Sequence, residues 1–449
     1  MSKRTWRVLA ITLAVALVAA ACGDSDDDDA PSDTTEADTT TTGGAETTEA
    51  PDTTGGAETT GTDGGAAPDL SDIGTITLGL AYGVTDAGLE QITERAIQAV
   101  EVAAAIGEEA GLDIEVDIED TAGDPVQAVD AANSLVAQGP SCILGAARSN
   151  ESTAIVPIVK DAQIPQISWG STSPALTTID DDDFFFRTLV SDAAQGEVAG
   201  NYAFDEVGAT TAAVVVQNDP YGIGLGDAFT ESFTAAGGEV VGRVNIDTGA
   251  TDFSAEVDTI LAENPDMIYN VLFGPEFIPF VTELAQADAA AVAKLFTADA
   301  QNNVDASAGI EDLIVGVMGL RPTGVDLTAF TEFFTEASGA EPGTFTEYSF
   351  DAAIICLVAA AAAGSNDPVA IRDALRDVTN GGTEYDFSQA AELIAAAAAG
   401  EDVDYVGAGS TLNLDDNGDV DPTGAAYSVY VFNPDGTVAD EGTILEFGG

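Results

Sequence analysis

From Thr75 onward the chain alternates between short runs rich in β-branched residues and longer stretches with helical spacing. Thr75–Ala81 reads as a strand and Leu89–Gly107 as a helix. Asp113–Glu119 and Asp124–Gln138 repeat the pair, and the short strand Cys142–Leu144 precedes the helix Glu151–Asp161 and the strand Gln166–Trp169. After Asp192 the rhythm resumes. Helices are expected at Gln195–Glu206, Gly224–Ala236, Phe253–Glu263 and Phe277–Gln286. Strands are expected at Thr211–Val216, Glu239–Asn245, Met267–Leu272 and Lys294–Thr297. Strands alternating with helices of this length predict an α/β fold, with parallel sheets covered on both faces. Such sheets hold ligands beyond the carboxyl ends of their strands.

The start of the chain follows a different pattern. Lys3, Arg4 and Arg7 precede an uncharged run from Val8 to Ala21, long enough for a signal-peptide core and short for a membrane span. Small residues lead directly into Cys22, as in a lipoprotein cleavage site, although Ala19 stands where leucine is commonest. Residues 1–21 are therefore expected to be removed and Cys22 to carry lipid. An ordinary secretory cleavage leaving a free thiol is the alternative. Residues 22–71 lack aromatics, are rich in Asp, Glu, Thr and Gly, and repeat Gly-Gly-Ala-Glu-Thr-Thr at 43–48 and 55–60. They bury too little apolar surface to offset ordering entropy and read as a disordered linker.

Composition narrows the function. The remaining body of nearly 380 residues suits two lobes rather than one core. Of 78 acidic and 12 basic residues, 15 and three precede Ile73, which leaves 63 acidic and nine basic ones, a net charge of −54. Such a surface repels nucleic acid and anionic membrane, and suits a saline habitat where salt screens the repulsion. Histidine is absent, which removes Ser-His and Cys-His nucleophiles and His-containing metal sites. No Gly-x-Ser-x-Gly is present. The chain is read as no enzyme, with no cofactor and no metal. Apart from Cys22, only Cys142 and Cys356 remain; an oxidising exterior allows a disulfide between them, with two buried thiols as the alternative. Asp415–Asp419 misses the spacing of a calcium loop, and its Asn-Gly reads as a turn.

Several stretches carry a resemblance to a known family. They are Glu119–Val129, Ile143–Ser149, Ile164–Thr177, Asn218–Gly224, Asp252–Ser254, Tyr348–Ala352, and Leu414–Asp419 before Tyr427–Phe432. In order and spacing they resemble the type 1 periplasmic binding proteins of the leucine/isoleucine/valine-binding group, from about Thr75 to Gly436. The resemblance implies two doubly wound parallel-sheet lobes joined by a three-stranded hinge, lobe one at 72–190 plus 322–424 and lobe two at 191–321 plus 425–449. It implies a monomeric, extracytoplasmic lipoprotein of an ABC importer that closes on an amino acid and is then read by permease subunits. A urea- or amide-binding protein and a ligand-sensing receptor subunit are the alternatives.

The expected site residues follow. Ser149 at a helix start, with Ser171 and Thr172 after a strand, offers hydroxyls and N–H groups to a carboxylate; helix capping and a turn would explain them equally. Tyr221 is implied to face the ligand from lobe two. Phe273, Trp169 and Tyr82 sit at strand ends, where they either line the site or pack. The family's acidic residue for the ligand ammonium aligns with Ala300, so Asp299 substitutes by a one-residue shift or the ligand has no ammonium. Arg148, beside Ser149, reads either as a partner for a ligand carboxylate or as paired with a surface acid.

Overall fold

The computed structural model describes residues 70–448 except Ala87, 303–306, 325 and 326. The leader, Cys22 and the linker up to Asp69 lie outside the described residues. Packing begins at Leu70, within the span read as linker: Leu70–Ile73 forms a 3-10 turn that buries Leu70 and Ile73.

The first lobe's sheet is built from β1 (Thr75–Tyr82), α1 (Glu90–Ala110), β2 (Asp113–Asp120), α2 (Pro125–Gln138), β3 (Cys142–Gly145), α3 (Ser149–Ala162), β4 (Gln166–Ser168) and β5 (Phe185–Arg187). All its pairings are parallel, in the order β2-β1-β3-β4-β5. Then come α4 (Asp192–Asp205), β6 (Thr211–Gln217), α5 (Pro220–Ala236), β7 (Glu239–Ile246), α6 (Ser254–Glu263), β8 (Met267–Val271), α7 (Gly274–Ala287), β9 (Leu295–Thr297), α8 (Glu311–Ile314) and β10 (Met318–Thr323). Their sheet runs β7-β6-β8-β9-β10, the same doubly wound order repeated. The chain returns to the first lobe through α9 (Leu327–Ser338), α10 (Thr346–Ala363), α11 (Pro368–Ala374), β11 (Thr383–Asp386), α12 (Ala390–Ala398) and β12 (Val403–Val406). It ends in β13 (Ala426–Phe432) and β14 (Val438–Glu446) at the edge of the second sheet. There the structure departs from a purely parallel sheet, since β13 runs antiparallel to both β10 and β14.

The helices start where the local chemistry dictates. The Asp124 carboxylate accepts from the N–H groups of Val126 and Gln127 to cap α2, Asp219 from Gly222 to cap α5, and Asp367 from Val369 and Ala370 to cap α11, each with Pro at the first helical position. Among the described residues one helix, α10, is long and apolar enough to cross a membrane. Here it is the core helix of lobe one, buried on every side from Thr346 to Ala361. The Cys142–Cys356 disulfide joins it to β3.

Three crossings link the lobes, after β5, after β10 and before β13. The Asp415–Asp419 segment is a turn closed by a bridge between Leu414 and Val420. Its Asp415 carboxylate accepts from the N–H groups of Asn417 and Asp419. Asp419 forms a buried ion pair with Arg187, at 2.7 Å to both Nε and Nη2.

Candidate functional site

Both sheets reverse their strand order at one point, between β1 and β3 and between β6 and β8. Doubly wound sheets bind ligands in the crevice at that point. The loops leaving β3, β4, β6, β8 and β9 converge there on a cavity between the lobes. Arg148, Ser149 and Trp169 line it from lobe one, and Tyr221, Phe273 and Asp299 from lobe two. Six of the nine residues expected at the site are thus brought together, closed off by Leu89 and Ile92 of the first lobe and by Thr344 and Phe345 before α10.

The cleft is shut. The Ser173 hydroxyl donates to the Pro220 carbonyl at 2.7 Å, and the Arg148 guanidinium lies 3.7 Å from the centroid of the Phe273 ring. A Cβ on Gly88 would stand 3.1 Å from Pro275 Cδ. The remaining space is about 30 Å³ for the centres of water-sized spheres, room for about two waters.

Ser149 opens α3 and lines the cavity, so the start of that helix, the positive end of its dipole, lies at the cleft. The Ser149 hydroxyl does not cap its own helix; it accepts from the Ser173 N–H at 3.1 Å, which ties the loop after β4 to α3. Glycine at 170 is required by the same approach, because a Cβ there would lie 2.6 Å from the Ala147 carbonyl oxygen. Arg187, which the sequence reading passed over, holds this loop from beneath: its Nη1 donates to the carbonyls of Ser171 and Ser173 at 3.3 and 3.1 Å.

The opposite wall is acidic. Asp299 follows β9 and is buried; its Oδ1 accepts from Gln195 Nε2 at 2.6 Å and from the Tyr221 hydroxyl at 3.0 Å. Asp192, at the first position of α4, is also fully buried, with the Thr172 side chain and the charge of Arg187 favouring its ionised form. Burial pushes Asp192 well above the usual carboxylate range and the neighbouring Asp299 charge pushes it further. Asp299 is raised by burial as well, against the hydrogen bonds from Gln195 and Tyr221. Two buried carboxylates this close both ionise only if a cation joins them. Sequence reasoning missed Asp192. Its position after Ser191 marked a helix start, and nothing in the sequence shows its burial.

Three expected residues fall behind the cavity instead of on it. Ser171 is spent internally, its hydroxyl 2.8 Å from Ser152 Oγ and donating to the Ala146 carbonyl at 3.2 Å. Thr172 is buried, and its carbonyl accepts from the Asp192 N–H at 2.8 Å. Tyr82 packs against Trp169, ring centroids 5.1 Å apart, with its hydroxyl on Ser349 Oγ. Ala300 also lines the cavity, next to the carboxylate of Asp299. Arg148 is paired, and not with a surface acid: its partner Asp86 is buried. Burial alone would lower Arg148, but the hydrogen bonds and charge of Asp86 raise it overall.

A family model described as periplasmic binding protein matches residues 75–401. A Leu/Ile/Val-binding protein homolog 1 of Brucella abortus (strain 2308) is 30% identical over 301 residues, 66% of this chain and 78% of that protein. Among solved structures, the leucine binding protein LivK of Thermotoga maritima superposes with a TM-score of 0.68 at 23% identity, over 83% of this chain and 99% of that one. The branched-chain amino acid transporter substrate binding protein LivJ of Streptococcus pneumoniae, in complex with isoleucine, gives 0.65 at 20% identity, over 83% and 100%.

Proposed function

We propose, from the premise that this chain belongs to the periplasmic binding protein family, in the group of the Leu/Ile/Val-binding proteins, that it captures a branched-chain or related α-amino acid outside the cell for an ABC importer. One observation carries the ligand class. The start of α3 lies across the cavity from the buried carboxylate of Asp299, with Asp192 buried behind it. A zwitterion fits that polarity: its carboxylate goes to the helix N-terminus and Ser149, its ammonium to Asp299, with Asp192 behind. Trp169, Tyr221 and Phe273 leave an apolar surround for the side chain. The urea or amide alternative started from a missing acid, and Asp299 supplies one.

The working cycle is hinge closure. The open form admits the amino acid; the ligand then bridges a helix terminus of one lobe and a carboxylate of the other, which favours a closed form around it, and the permease reads that form. A lipid on Cys22 would tether the body to the membrane through the segment between Cys22 and Leu70. The linked chemistry is binding alone, with no bond made or broken.

A thermal-shift screen of residues 70–449 at high salt tests the proposal. Leucine, isoleucine or valine at a hundredfold excess over its dissociation constant is expected to add about 2.7 kcal/mol of stability. A response to urea or short amides and to none of the amino acids would reverse the ligand assignment.

A further inference from the structure

We propose that Asp86 decides which side chains the cavity accepts: by holding Arg148 in a closed ion pair, it reserves the site for ligands whose side chain carries no charge. The inference rests on the amino-acid site proposed above and names the residue that sets its specificity.

Arg148 is one of nine basic residues in a body of net charge −54, and among the residues lining the cavity it is the one cation. A free guanidinium beside Ser149 would be a strong receptor for a second carboxylate, as in glutamate or aspartate. It is not free. Nε donates to Asp86 Oδ2 and Nη2 to Asp86 Oδ1, each at 2.6 Å, and both side chains are nearly buried. One face of the guanidinium is covered by the Phe273 ring of the other lobe at 3.7 Å.

The backbone seats Asp86 in this position. Its N–H donates to the Gly83 carbonyl at 3.1 Å, which closes a turn after β1. A Cβ on Gly83 would lie 2.8 Å from Asp86 Cβ, and one on Gly123, at φ +71°, 2.5 Å from Asp86 Cγ. Two glycines thus leave the space the carboxylate occupies, and a ligand carboxylate cannot push it aside.

The charges that face the pair complete the filter. Asp219 of lobe two and Glu151 of α3 both act on Arg148 electrostatically, so with Asp86 three carboxylates surround one guanidinium, while Asp299 and Asp192 hold the ammonium end. An acidic side chain entering here meets no uncommitted cation and pays like-charge repulsion as well. Specificity then comes from repulsion and prior occupation as much as from the apolar contacts.

Titration calorimetry at fixed high ionic strength tests this on the protein, on Asp86→Asn, and on Asp86→Asn combined with Arg148→Gln, using L-leucine, L-glutamate and glutarate. The wild-type protein is expected to bind glutamate and glutarate at least about a hundredfold more weakly than leucine. Asp86→Asn is expected to gain about tenfold or more for both acids through the released guanidinium, and the double variant to lose that gain. The double variant also removes the lone buried cation that could unfold the single one, and the wild-type comparison needs no variant. Gain for both acids in Asp86→Asn without any wild-type leucine binding would sink the amino-acid reading and leave the Asp86 assignment standing. Equal wild-type affinity for leucine and glutamate, or a folded Asp86→Asn that gains neither acid, overturns the assignment.

Discussion

Asp299→Asn will weaken binding of an α-amino acid by a factor of about a hundred or more, and will raise the melting temperature of the unliganded protein by about 1–2 °C. The two effects have one cause. In the unliganded site Asp299 is buried near Asp192, and the charge of Asp299 pushes Asp192 further up. Each carboxylate raises the cost of ionising the other, and that cost is carried by the fold. An asparagine of the same shape keeps a carbonyl oxygen for Gln195 and Tyr221 and removes the repulsion; about 1 kcal/mol recovered gives a shift of that size. The ligand's ammonium then loses its buried partner, and truncating one side of a buried charge pair costs about 2–5 kcal/mol. Calorimetry with leucine and a melting curve without it read the two effects separately. Unchanged affinity would remove Asp299 from the site, and a lower melting temperature would mean that its hydrogen bonds outweigh the repulsion.

Stability will rise as pH falls from 8 to about 5. Glu151 is buried and its carboxyl is pushed up to about 7, Glu347 likewise to about 7, and Asp351 to about 6, burial being the first cause in each. A carboxyl whose folded pKa exceeds its unfolded value binds its proton more tightly when folded. Its contribution is therefore complete below about pH 4 and is lost as pH rises through 6 to 7. Each full shift corresponds to on the order of 3 kcal/mol, so the three together change stability by several kcal/mol. The acidic surface acts in the same sense, because protonation relieves its self-repulsion. The opposing groups lie lower: hydrogen bonds from Thr210 and the N–H groups of Thr210 and Thr211 bring Asp266 down to about 2, so its loss begins only below about pH 4. Melting temperatures at constant high salt across pH 4–8 measure the slope, and Glu347→Gln is expected to flatten it. A melting temperature equal or lower at pH 5 than at pH 8 would contradict the sign.

How far the sequence carried depended on burial. Up to Thr297 most helices have one buried stripe and most strands are bounded by turn residues, so the alternation could be read, apart from the short strand β5 and helix starts displaced by up to four residues. Beyond it the pattern fails for a physical reason. α10 is buried all round, so it has no amphipathic period, and the helices that pack on it were not assigned. The antiparallel β13 and β14 were equally invisible, since strand direction is set by the neighbour and not by the strand's own residues. At the site, residues of the same loops divide between the cavity and the network behind it. Trp169 and Ser149 reach the cavity, whereas Ser171 and Thr172 turn into the supporting network. Asp299, one residue before Ala300, brings a carboxylate to the cavity. Arg148 was singled out, but its buried partner Asp86 is 62 residues away in sequence, and only the fold brings them together.

The central claim is that the cleft between the lobes recognises both charged groups of an α-amino acid. Calorimetric titration of the protein with leucine, with isocaproate (leucine without its amine) and with isoamylamine (leucine without its carboxylate) tests it most directly. Saturable binding of leucine is expected, with each analogue about a hundredfold weaker or worse. Isocaproate binding as tightly as leucine, or no binding of any α-amino acid, would contradict the account.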